Sequence, residues 1–194
     1  MAYGWEAADG FPPEVAHALS QSDSPLLADL TPVLAVPEFK VPLPGGGRAS
    51  QNDLFVLARL AAGPVALMVE GKVNESFGTT LQGWLSQSSP GKRERLRFLR
   101  RVLGLRTKPP GAIRYQLLHR ADSAVITGEQ YRADAAVLVV HSFSEELVGW
   151  LDYQAFTALF GVEAIQGKVQ RFGKRSSLPL FGTWVMGDPS FLQC

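Results

Sequence analysis

The hydrophobic and polar positions change period several times along the chain, and each change marks an element. From Asn52 to Val73, "NDLFVLARLAAGPVALMVEGKV", two nearly continuous apolar runs flank a turn at Ala62-Gly63-Pro64. Apolar runs of strand length on either side of a Gly-Pro turn predict a β-hairpin, and their lack of alternation predicts cover on both faces. Upstream, "EFKVPLPGGG" reads as an edge strand closing in a flexible triple-glycine loop, because Pro42 would interrupt a central strand. Downstream the period lengthens. "TTLQGWLSQ" predicts a short helix ended by "SSPG". From Lys92 to Leu103, Leu96, Phe98, Leu99, Val102 and Leu103 share one side of a helical wheel, while Arg93, Arg97, Arg100 and Arg101 share the other. Arg95 falls inside the apolar arc, against the pattern.

After "PPG", a helix starting near Ile113 gathers Leu117, Leu118, Ala121, Ala124 and Val125 on one face and aligns Gln116, Arg120, Ser123 and Thr127 on another. "AAVLVVHSF" then reads as a buried strand, and "SEELVGWLDYQAFTALFG" as a helix with a capping box at Ser144. The C-terminal part reads as two short strands around a basic loop. At the other end, a short helix is expected from about Pro13 to Ser20, and Asp23 or Ser24 could cap a second near Pro25. Helix, strand, hairpin, helices, strand, helix, strands is an α/β order, a mixed β-sheet core flanked by helices on both faces. One domain over 1–194 is expected, with its core at about 35–160 and the N-terminal helical segment and C-terminal strands as additions.

Composition narrows the class. With 46% apolar and 19% charged residues, 194 residues can bury a sizeable core. No apolar run approaches the ~18–20 residues of a membrane span, and "MAYGWEAADGFPPE" lacks the basic and apolar regions of a secretory signal. The single cysteine, Cys194, excludes an internal disulfide. These features point to the cytoplasm. The net charge of +1 gives no general attraction to nucleic acid, but Lys92–Lys108 holds eight basic residues against one acid, Glu94. That patch is suited to phosphate.

The chemistry concentrates at the end of the second hairpin arm. Side chains alternate along a strand, so Glu70 and Lys72 point one way and Gly71 the other. Charged groups ending an apolar strand cost desolvation unless they meet a metal, a partner or water. The hairpin turn lies midway between Asp53 and Glu70–Lys72, so antiparallel pairing brings Asp53 alongside the pair. Mg²⁺ usually takes one or two carboxylates, with waters and phosphate oxygens completing its shell. His17, His119 and His141 are too scattered to support a zinc site.

An Asp, a hairpin, Glu-x-Lys closing an apolar strand, then helix and strand resembles the PD-(D/E)XK nuclease superfamily. The stretch "QNDLFVLAR…VALMVEGKVNESFG…SPGKRERL…RYQLLHR…AAVLVVHSFS" is similar to an uncharacterised bacterial family grouped with that superfamily, over roughly residues 50 to 160. The resemblance implies a restriction-endonuclease-like fold in which Asp53 and Glu70 bind Mg²⁺ or Mn²⁺. Lys72 would stabilise the attacking water or the pentavalent phosphate, and Gln116 would support the site. It implies an endo- or exonuclease hydrolysing phosphodiester bonds, with DNA the expected substrate. Arg93, Arg97, Arg100 and Arg101 would grip the backbone, and Arg120 extends these candidate contacts. A homodimer is compatible with such a fold. Two departures stand out: Asn52-Asp53 replaces Pro-Asp, and a second Glu-x-Lys, Glu38–Lys40, sits in a strand broken by prolines. The alternative is a non-catalytic module of the same fold that binds nucleic acid or a protein partner.

Overall fold

The computed structural model describes residues 2–173 and 176–192. Two short helices, α1 (Ala2–Glu6) and α2 (Pro13–Ser20), precede an antiparallel meander of β1 (Thr31–Val41), β2 (Ser50–Arg59) and β3 (Pro64–Lys72). Three helices follow, α3 (Leu81–Leu85), α4 (Pro90–Val102) and α5 (Tyr115–Gln130), and return the chain to β4 (Ala135–Ser142), parallel to β3. After α6 (Trp150–Ala158) come β5 (Gln170–Phe172) and β6 (Leu180–Met186), and a short 3-10 turn, Pro189–Leu192, ends the described chain. The six strands form one mixed sheet in the order β1-β2-β3-β4-β6-β5.

Alternation along β3 divides the core. Ala66 and Met68 face one way and join Phe55, Leu138 and Val140 beneath Leu99 of α4, Leu117, Ala121 and Val125 of α5, and Phe156 of α6. Leu67 and Val69 face the other way and join Leu54, Val56, Val137 and Val139 against Val15, Ala18 and Leu19 of α2. Every residue of β4 is buried, and each large apolar side chain so placed contributes about 1.5–3 kcal/mol relative to exposure. This is the α/β class expected from the pattern, a mixed sheet with helices on both faces. Its meander, crossover helix and parallel fourth strand are consistent with a restriction-endonuclease-like core.

Several elements differ from their sequence expectation. No helix forms near Pro25: the hydroxyls of Ser22 and Ser24 accept from the amides of Ser24 and Leu26, and such local bonds compete with helix formation. β1 begins at Thr31, earlier than "EFKV" suggested. It carries Pro32 and Pro37, which its edge position tolerates. α6 starts at Trp150 and not at Ser144, because Leu147 (φ 56°) and Gly149 (φ 89°) are left-handed. The Ser144 hydroxyl instead accepts from Val148 N within a separate turn.

The triple-glycine loop is pinned, not flexible. Arg95 donates to the carbonyls of Leu43, Pro44, Gly46 and Arg48 at 2.8–3.2 Å, which explains its place in the apolar arc of α4. A Cβ on Gly45 would lie 2.1 Å from the Gly91 carbonyl, so the loop packs directly on the start of that helix. The expected basic loop between β5 and β6 includes Lys174 and Arg175, which lie outside the described residues, as does Cys194.

Candidate functional site

The hairpin register holds from Arg59↔Pro64 to Leu54↔Val69, and beyond it β3 remains paired with β4 through Lys72↔Ser142. Glu70 and Lys72 therefore sit where β2 parts from β3, on the sheet face that α5 covers. They are 1% and 4% exposed. Gln116 and Arg120 lie one turn apart on α5, so both reach the same carboxylate. Gln116 Nε2 donates to Glu70 Oε1 at 2.6 Å, and Lys72 Nζ donates to that same oxygen at 2.8 Å. Arg120 Nε takes the other oxygen, Oε2. Two cations and an amide thus surround one buried carboxylate. Lys72 also lies 3.8 Å from Glu75 Oε1 and over the Phe77 ring.

Asp53 approaches from the hairpin side. Its Oδ2 accepts from the Gly71 amide at 2.8 Å, at the residue between Glu70 and Lys72. Burial, and next the neighbouring Glu70 charge, push its carboxyl up to about 6, against the pull of the Gly71 amide, Arg120 and Lys72. The two carboxylates therefore interact although they are bonded to different partners. Asp53 also lines a cavity of about 380 Å³ with Trp5, Pro37, Leu54 and Val56.

A polar network that the sequence did not disclose lies behind Arg120. Arg120 Nη1 is 3.4 Å from Ser50 Oγ, which is 2.8 Å from both His119 Nδ1 and Ser123 Oγ. Burial, then the charges of Arg120 and Arg95, hold the His119 imidazole down at about 3, so it is neutral. The polar row Gln116–Arg120–Ser123 on α5 was the visible signal. Ser50, at the far end of the hairpin, carried none.

The basic residues divide. Arg93, Arg97, Arg100 and Lys108 line an open groove of about 550 Å³ with Leu85, Ser88 and Leu96. Arg100 is fixed there by the carbonyls of Arg106 (2.8 Å) and Thr107 (3.1 Å). Arg101 lies over the Phe98 ring, 5.3 Å from its centre. Arg120 is not part of this surface. It is 6% exposed and bound to Glu70, because the polar row of α5 faces the sheet end and not solvent.

Among the described residues, no group of three or more His, Cys, Asp or Glu side chains forms a metal cage. A cation here would draw on Asp53 and Glu70, with water and phosphate oxygens completing its shell. Asp53, bonded to the Gly71 amide, and Glu70, the residue before it, are hard oxygen donors of the type Mg²⁺ or Mn²⁺ takes. Arg120 already occupies Glu70 Oε2. Among the described residues, no helix is long and apolar enough to cross a membrane. A family described as "Domain of unknown function (DUF6946)" matches residues 1–189, and the chain belongs to it. Neither the curated proteins nor the solved structures yield a match.

Proposed function

We propose that this DUF6946 protein is a metal-dependent nuclease of the PD-(D/E)XK kind, hydrolysing phosphodiester bonds of nucleic acid, DNA first, in the cytoplasm. One observation carries the reading: Glu70, Lys72 and Gln116 converge from β3 and α5, and the hairpin sets Asp53 against Gly71 between them. All four groups come from one chain, so the reading requires no second copy.

Asp53 and Glu70 would hold the ion, which when bound would activate water and polarise the phosphoryl oxygens. Gln116 keeps Glu70 Oε1 oriented by its 2.6 Å bond. Lys72, fixed on that oxygen and shielded from solvent, carries the positive charge that a pentavalent phosphate needs nearby. The groove of Arg93, Arg97, Arg100 and Lys108 binds backbone phosphate away from the reacting bond.

Cleavage of single- and double-stranded DNA and RNA in Mg²⁺ or Mn²⁺ tests the reading. Lys72→Ala should lower the rate by roughly 10²–10³-fold, the usual loss for one preorganised charge-stabilising donor. Equal cleavage by the two proteins would sink it. A specific observation also supports the second reading, a non-catalytic module that binds nucleic acid or a protein. Arg120 and Lys72 already neutralise Glu70 without a metal. Salt-dependent DNA binding with no cleavage in either metal would select it.

A further inference from the structure

One contact at the site, Arg120 on Glu70, is one that a two-carboxylate metal centre does not need. Glu70 spends its two oxygens on three donors, and Arg120 alone takes Oε2. We propose that Arg120 is a resident competitor of the divalent cation, leaving Glu70 for the phosphodiester when nucleic acid arrives and so coupling metal affinity to substrate. The proposal rests on the metal-dependent reading above.

Charge and burial carry it. Asp53 and Glu70 are opposed by Lys72 and Arg120, so the four groups are already balanced. A divalent ion added with Arg120 in place would crowd positive charge around Glu70, Lys72 and Arg120, which are 1%, 4% and 6% exposed, with only the exposed Glu75, 3.8 Å from Lys72, beyond Asp53 and Glu70 to offset it. Like charges in so dry a site repel far more strongly than in water. A guanidinium cannot relieve this by losing its proton, so Arg120 must move. Its other hydrogen bonding is slight: Nη1 is 3.4 Å from the neutral Ser50 hydroxyl, and the charge attraction of Asp53 would be shared with the ion. A phosphodiester offers the planar guanidinium two acceptor oxygens at once, the geometry that Arg prefers. The exchange moves one charged contact from protein to substrate and frees Glu70 Oε2 for the ion. Because coupling between sites is reciprocal, metal should tighten nucleic acid as much as nucleic acid tightens metal.

Mn²⁺ binding to the full chain, followed by the paramagnetic signal of free Mn²⁺, reads this without any cleavage. In wild type, a short phosphorothioate DNA should tighten Mn²⁺ by roughly tenfold, within the range usual for coupled sites. Arg120→Met should bind Mn²⁺ about tenfold tighter than wild type with no DNA present, and DNA should add little. Arg120→Gln, which removes the charge but keeps an N–H for Glu70, carries the same expectation and guards against a folding defect. Adding Glu70→Gln to either variant should abolish the gain. If wild type binds Mn²⁺ equally with and without DNA and both variants match it, the competitor role is overturned while the nuclease reading stands. If no protein binds Mn²⁺ even with DNA, the metal reading falls and takes this proposal with it.

Discussion

Glu70 is the residue on which the site turns, and its surroundings make its removal costly. Arg120 and Lys72 are both buried against it. Breaking a buried ion pair from one side leaves uncompensated charge, a loss of about 3–5 kcal/mol. Glu70→Ala should therefore fall well below wild type in urea-unfolding stability, while Glu70→Gln, which still accepts from the donors, should lose less. Asp53 makes a separate claim about pH. Its folded carboxyl is raised to about 6, mainly by burial, whereas an unfolded aspartate titrates near 3.9. A raised carboxyl favours the fold below the unfolded value, and that contribution is lost as pH rises from about 4 to 6. In metal-free buffer, wild type should lose stability across that window relative to Asp53→Asn. Melting curves at pH 4 and pH 7 that shift equally in both proteins would contradict the assignment. At this scale the shared face of Glu70 and Lys72 was legible, because strand alternation is a local rule, whereas Gln116 was suggested only by the family resemblance. Arg120 was misplaced for an equally physical reason. A helical wheel shows that a face is polar, but not whether that face meets water or a buried carboxylate.

The elements show how far local pattern reaches. α5 supplies Gln116, His119, Arg120 and Ser123, yet the same helix carries Asp122, fully buried with neither oxygen bonded. Burial raises its carboxyl well above the ordinary range, so the fold favours its protonated form. Its contribution is whole below the unfolded value near 3.9 and declines as pH rises beyond it. Asp122→Asn, which cannot ionise, should melt higher than wild type at pH 8 and differ little from it at pH 3. α4 is held by the opposite device, since Arg95 satisfies four loop carbonyls. The helix itself, which starts at Pro90 under a Ser89 cap, two residues before the expected Lys92, was evident from its leucines. The loop it fastens was not, because glycine repeats look flexible until a partner from elsewhere in the chain is known. The late start of α6 has a similar origin. The capping-box string at Ser144 is genuine turn chemistry, but left-handed Leu147 and Gly149 separate it from the helix.

For the whole molecule, the hairpin and its two covered faces could be read from continuous apolar runs. The parallel β4–β6 pairing could not, since it joins strands whose partners are set by packing and not by sequence neighbours. Charge distribution works at this scale too. With a net charge of only +1, the proposed attraction to nucleic acid would have to come from the Arg93–Arg97–Arg100–Lys108 groove. Replacing Arg93 and Arg97 together by alanine should weaken binding to all sequences alike and flatten the slope of log affinity against log salt by about two, roughly one for each phosphate no longer neutralised. An unchanged slope would remove the groove from the interface. The proposed activity joins all three scales: a hairpin, a helix and four side chains would together make a metal-dependent phosphodiesterase. The most direct measurement is cleavage of end-labelled DNA in Mn²⁺, with and without a chelator, by wild type and Asp53→Asn. The account predicts cleavage that the chelator abolishes and that Asp53→Asn slows by about 100-fold or more. Cleavage that survives the chelator, or that proceeds equally in both proteins, would contradict it.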